Sequence, residues 1–154
     1  MSRWQSLAEQ FASAPDLAGL TDDQVRSVVE VLALTIHADE TVAPIEVAGF
    51  NHLVAGLPMM EGRETLVHEH VKEANKRARA AVTDDSVRRE LARDAASRLQ
   101  GSGLREQVFR MAASLASVDF EVVPAEEQAL GWLAEAFEIA SDRARDIIDE
   151  ASPP

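Results

Sequence analysis

Asp39, Glu40 and Glu46 fall within the stretch His37-Ala38-Asp39-Glu40-Thr41-Val42-Ala43-Pro44-Ile45-Glu46. Asp119, Glu121 and Glu126 fall within a second, Ser117-Val118-Asp119-Phe120-Glu121-Val122-Val123-Pro124-Ala125-Glu126. Each has an Asp, then a Val three residues on, a Pro five on and a Glu seven on, and the two copies stand eighty residues apart. Carboxylates at this density support two kinds of chemistry. They can hold a hard divalent cation, and Ca2+ or Mg2+ is the match because both take oxygen ligands. They can also satisfy free N–H groups at helix ends, where a Glu at the third helical position reaches back to the cap and complements the helix dipole. Asp39, Glu46, Asp119 and Glu126 are the candidate ligands, with Glu40 and Glu121 beside them. An EF-hand is excluded, because neither loop has ligands at alternate positions and a Gly at the sixth.

Other reactive residue types form no constellation. His68-Glu69-His70 places its two imidazoles on different sides of a helix, and it is not the HExxH spacing of zinc proteases. His37 and His52 are isolated, and the expectation for each histidine is a solvated side chain. No Gly-rich phosphate loop is present, and nothing places Ser, His and Asp as a triad. With no general base and positioned partner in view, no enzyme and no catalytic residue is expected. Cysteine is absent, which removes disulfides, iron–sulfur clusters, zinc ribbons and thiol nucleophiles.

The formal net charge is -12 and it is unevenly spread. Residues 1–60 carry two basic and eight acidic groups, residues 61–110 eleven basic and nine acidic, and residues 111–154 two basic and ten acidic. Such a field opposes general nucleic-acid binding, which relies on Lys and Arg neutralising phosphates, and favours cations and basic partners. Lys72, Lys76, Arg77, Arg79, Arg88, Arg89 and Arg93 could form a basic ridge, but a solvated, salt-bridged face is the expectation, with Glu69 and Glu73 pairing Lys76 and Arg77. Neither a secretory signal nor a run of about 20 apolar residues is seen, so a cytoplasmic protein, not membrane-inserted, is expected.

Helices must position these carboxylates. The chain is 46% hydrophobic, rich in Ala and without Tyr. That favours helices packed closely on small side chains. A first helix is expected from Ser2 to Ala14. Thr21 reads as an N-cap, with Asp22 and Asp23 in the first turn and Gln24 completing a capping box. Val25, Val28, Val29, Leu32, Ala33 and Ile36 then make an apolar stripe, and the helix should end near Ala38. Pro44 suits the first turn of the next helix, with Val47, Phe50, Val54 and Leu57 as its stripe and Pro58 ending it. Residues 61–81 form a charged helix. Asp84 or Asp85 caps another that runs to about Leu99. After Gly101 and Gly103, Leu104, Val108, Met111, Ala112 and Leu115 form a stripe, followed past the second loop by Leu130, Leu133, Ala134 and Phe137. Ser141 or Asp142 caps a last helix. Trp4 and Trp132 read as packing residues, Trp132 partly exposed.

Overlaying residues 24–57 on 104–137 pairs Val28 with Val108, Ala33 with Ala113, Asp39 with Asp119, Val42 with Val122, Pro44 with Pro124, Glu46 with Glu126 and Leu53 with Leu133. Phe50 meets Leu130, and Leu57 meets Phe137. Core and loop spacing agree, which points to two copies of a helix–acidic loop–helix unit. The expected fold is all-α: one compact bundle of seven to eight helices over residues 1–151, with units at about 21–58 and 101–138 related by a pseudo-twofold axis, and a disordered tail at 152–154.

The paired loop, Ala38-Asp39-Glu40 through Glu46 and Val118-Asp119-Phe120 through Glu126, resembles the tellurite-resistance TerB-like family, over roughly residues 20–150. The family's usual Gly after the Asp is replaced by Glu40 in one copy and Phe120 in the other. The resemblance implies a compact helical, non-enzymatic stress-response module with Asp…Glu loops for divalent cations, linked to tellurite resistance through protein complexes at or near the membrane. The other reading of the same acidic surface is a metal-free adaptor domain that binds a basic protein partner.

Overall fold

The structure, a computed structural model, describes Leu7 and residues 9–11, 19–37, 44–55, 62–81, 83–116 and 124–151, with the backbone alone described at 44–47, 55, 64, 67, 102 and 124–126. Within these, seven helices follow one another: α1 (Asp22–Ile36), α2 (Pro44–Ala55), α3 (Glu64–Ala80), α4 (Asp85–Ser97), α5 (Ser102–Ala116), α6 (Pro124–Ala136) and α7 (Ser141–Ala151). Leu7 and residues 9–11 are helical too, and no strand occurs among the described residues. The fold is all-α, as the periodicity indicates.

Local sequence sets several of these ends. At α1, Gln24 N–H donates to Thr21 Oγ1 at 3.3 Å and Thr21 N–H donates to Gln24 Oε1 at 3.0 Å, so the capping box closes in both directions. Asp84 caps α4 by accepting from Val87 N–H at 3.2 Å. Two ends differ from expectation. α3 starts three residues later than 61, after Gly62 turns the chain at φ 78°. Ser141 is the first residue of α7 rather than its cap, and the Ala140 carbonyl accepts the Ala144 N–H.

α1 is the axis of the bundle. It packs against α3, α4 and α5, and also touches α2 and α6. Val25, Ser27, Val28, Val29 and every residue from Val31 to Thr35 are buried, so the apolar stripe widens to nearly the whole circumference, as a helix enclosed on all sides requires. Around it, Phe50, Phe109, Leu99, Leu130, Leu133 and Ile147 are fully buried, each contributing about 1.5–3 kcal/mol of transfer free energy. Ala74, Ala78, Ala92, Ala95 and Ala96 let α3 and α4 lie close to the axis.

The helix pairs α1–α2 and α5–α6 share one register. α1 and α5 are each 15 residues long, and α2 and α6 begin at Pro44 and Pro124. Val28 and Val108, Ala33 and Ala113, Phe50 and Leu130, and Leu53 and Leu133 are buried in both members of each pair.

Trp132 is 5% exposed, not partly open as its place opposite His52 in the overlay suggested. Its ring packs on Ala129 and lies 5.6 Å from the guanidinium carbon of Arg88, a cation–π arrangement that ties α4 to α6. Arg88 is therefore buried, and it drops out of the solvated basic ridge. Lys72, Lys76, Arg79, Arg89 and Arg93 remain exposed, and Arg77 pairs with Glu73 at 3.4 Å.

Candidate functional site

Asp39, Glu40, Asp119 and Glu121 lie outside the described residues, and Glu46 and Glu126 are described in backbone only. What the structure gives is their frame. α1 ends at Ile36 and α5 at Ala116, so each Asp follows a helix by three residues. Glu46 and Glu126 are each the third residue of the next helix. Both Glu thus occupy the position from which a side chain can face the first turn's free N–H groups or the preceding loop.

A polar chain closes on the end of α1. His37, the C-cap of α1, is 3% exposed, which corrects the expectation of a solvated imidazole. Its Nε2 lies 2.8 Å from Asn75 Oδ1 on α3, and Asn75 Nδ2 donates to Asn51 Oδ1 on α2 at 3.4 Å. An amide oxygen only accepts, so Nε2 carries the proton and Nδ1 the lone pair. The chain joins the end of α1 to α3 and α2. Its signal was present in the spacing. Val71, Ala74, Asn75 and Ala78 fall at i, i+3, i+4 and i+7, which puts Asn75 on the buried stripe of α3. Ala33 and His37 likewise share a face of α1.

His37 titrates below the usual histidine range, first because burial penalises the imidazolium and further through Arg79, while the Asn75 hydrogen bond works in the opposite direction. His70, half-buried beside Arg26, is lowered as well, by burial first and then by Arg26, against Glu30, Asp22 and Asp23. Both folded-state pKa values lie below the unfolded value of 6.5. Above about pH 6.5 neither state binds the proton and no stability is lost. Below it the unfolded chain protonates first, so stability falls as the pH drops towards the folded pKa. Urea midpoints should therefore be lower at about pH 5.5 than at about pH 7.5, and His37→Gln should flatten the difference. A wild-type midpoint unchanged between the two would contradict the buried, neutral His37.

A second polar cluster lies between α1, α3 and α4. Glu30, with a side chain 9% exposed, takes Arg26 Nε at 2.8 Å on Oε1 and Arg98 Nη1 at 3.1 Å on Oε2, with Arg77 at 3.9 Å. Arg98 also donates to Ser27 Oγ at 3.3 Å and pairs with Asp94. With Glu73 on Arg77, three arginines face three carboxylates, so the cluster fastens helices together and offers no net charge to a ligand. Arg105 does similar work at the other end, donating to the carbonyls of Leu99 (2.7 Å) and Ala96 (3.1 Å) and closing the C-terminus of α4.

Among the described residues no group of three or more His, Asp or Glu could hold a metal ion. Among the described residues, no helix is long and apolar enough to cross a membrane. Comparison with known protein families, with curated proteins and with solved structures found no match to this chain. The likeness to TerB-like proteins thus rests on the paired Asp…Glu motif alone.

Proposed function

We propose that this chain is a non-enzymatic binding module of the TerB-like kind, whose two acidic loops hold divalent cations, Ca2+ or Mg2+. The observation that carries this reading is the common register of α1–α2 and α5–α6, which brackets each Asp…Glu stretch by a helix end and a proline-started helix at the same spacing. The same carboxylates recur at the same spacing in both units, and Asp39 and Asp119 stand at the same distance from a helix end. On this reading the two units are a duplication related by a pseudo-twofold axis. Asp39 and Glu46 hold one ion and Asp119 and Glu126 the other, with Glu40 and Glu121 adding charge. The module acts in the cytoplasm in a chemical-stress response, by assembling with protein partners.

A second reading, the metal-free adaptor for a basic partner, is favoured by the charge distribution. Many arginines of the slightly basic middle third are engaged within the fold: Arg63 with Asp22, Arg77 with Glu73, Arg98 with Glu30 and Arg110 with Glu150. That supports a surface read by cations and basic proteins rather than by nucleic acid. Calorimetric titration with Ca2+ and with Mg2+ distinguishes the two readings. The cation reading expects binding heat in wild type, reduced in Asp39→Asn and in Asp119→Asn and absent in the double variant. Wild type without binding heat leaves the adaptor reading.

A further inference from the structure

α7 packs on α5 and makes only slight contact with α6, although the two are consecutive. A groove of about 730 Å³ opens between them. Its floor is apolar, with Leu130, Ala134 and Ala144 buried and Ile139 and Ile148 half-buried. The α6–α7 turn holds Ile139 there: Glu138 takes φ 59°, and N–H groups of Glu138 and Ile139 close on the carbonyls of Glu135 (3.1 Å) and Ala134 (2.9 Å). This is the Schellman arrangement with Glu in the left-handed position that Gly usually takes.

Gly131 lines this groove from the middle of α6. A glycine there is a poorer helix former than Ala. Nothing in the described fold requires it, because a Cβ added at Gly131 would meet no atom within 4 Å. A missing side chain above an open apolar floor suits the close approach of another backbone. The rim is acidic, with Glu127, Glu135 and Asp149 against Arg145 in the groove and Arg93 of α4, whose exposed guanidinium stands 4.0 Å from Glu135, in a third of the chain that holds two basic and ten acidic groups.

We propose that the α6–α7 groove docks a basic amphipathic helix of a partner protein, with its apolar stripe on the floor over Gly131 and its Lys or Arg residues against Glu127, Glu135 and Asp149. Charge complementarity selects this occupant. An anionic lipid surface would be repelled by the same rim. A second copy is a poor fit, because among the described residues Val87 is the exposed large hydrophobic and no described helix presents an apolar stripe outward. The proposal rests on the binding-module reading but not on its metal, so its test is run in EDTA, where failure of cation binding leaves the outcome unaffected.

The probe is a fluorescein-labelled Leu/Lys amphipathic peptide of about eighteen residues, five helical turns, with a Leu/Glu peptide of the same pattern as control. Anisotropy with the full chain should give micromolar binding of the Leu/Lys peptide and none of the Leu/Glu peptide. Backbone amide shifts should be confined to α6, α7 and the turn between them. Gly131→Leu fills the groove and has better helix propensity than Gly, so it should keep the fold while weakening binding at least about tenfold. Three results would overturn the proposal: no binding to wild type, undiminished binding to Gly131→Leu (attraction to the overall charge only), or wild-type dimers in sedimentation that Gly131→Leu abolishes and the peptide does not displace, which would make a second copy the occupant.

Discussion

Phe50→Ala lowers the unfolding free energy by about 3–5 kcal/mol, the range for a fully enclosed aromatic truncated to Ala. Phe50 has no exposed surface and stands on α2 at the register that Leu130 occupies on α6. Its removal leaves a void that the neighbouring side chains fill only in part, so the cost combines lost transfer energy and a cavity. Leu130→Ala should cost about 2–4 kcal/mol by the same mechanism. Urea unfolding of both variants measures it. Losses below about 1 kcal/mol in both would mean that the common stripe of the two helix pairs is not the core.

Glu30→Ala is expected to cost about 2–3 kcal/mol, less than a fully enclosed ion pair because its arginine partners are partly in water. Glu30 joins α1 to α3 through Arg77 and to α4 through Arg98. Truncation leaves Arg26 and Arg98 close together without the carboxylate that both contact, and leaves the Arg98–Ser27 contact under mutual repulsion of the guanidinium groups. Glu30→Gln keeps an acceptor oxygen and the packed stem, so it should recover about half of the loss. Denaturant unfolding of the two variants at low and high salt checks this. Glu30→Ala within about 0.5 kcal/mol of wild type would show that the cluster is solvated and fastens nothing.

The elements that the sequence made legible are those specified by a local rule. Thr21 and Gln24 announce the start of α1 and Pro44 the start of α2, and the i, i+3, i+4 stripes name Val28, Phe50, Leu130 and Leu133 as core. What was missed depends on how helices meet. His37 looks like a polar residue at a helix end until α3 supplies Asn75. Trp132, judged by its alignment with the exposed His52, is covered instead by Ala129 and Arg88. Glu30 meets Arg98 from 68 residues away, a pairing that no local pattern on α1 marks. The left-handed turn at Glu138 lacks the glycine that would have marked it. The groove between α6 and α7 follows from where α7 lands on α5, which periodicity does not specify. Of the candidate site, the spacing of the carboxylates and the helix ends that frame them are in the sequence, as is the place of Asn75 on the buried stripe of α3, but the meeting of Asn75 with His37 is not.

Thermal unfolding in EDTA, then in millimolar Ca2+ or Mg2+, on wild type and on the Asp39→Asn, Asp119→Asn double variant, bears most directly on the paired acidic loops. A ligand that binds only the native state raises the melting temperature by mass action. Wild type should show a cation-dependent rise of several degrees that the double variant loses. An identical melting temperature with and without cations in wild type would contradict it, leaving Asp39, Glu46, Asp119 and Glu126 as helix-end residues without an ion.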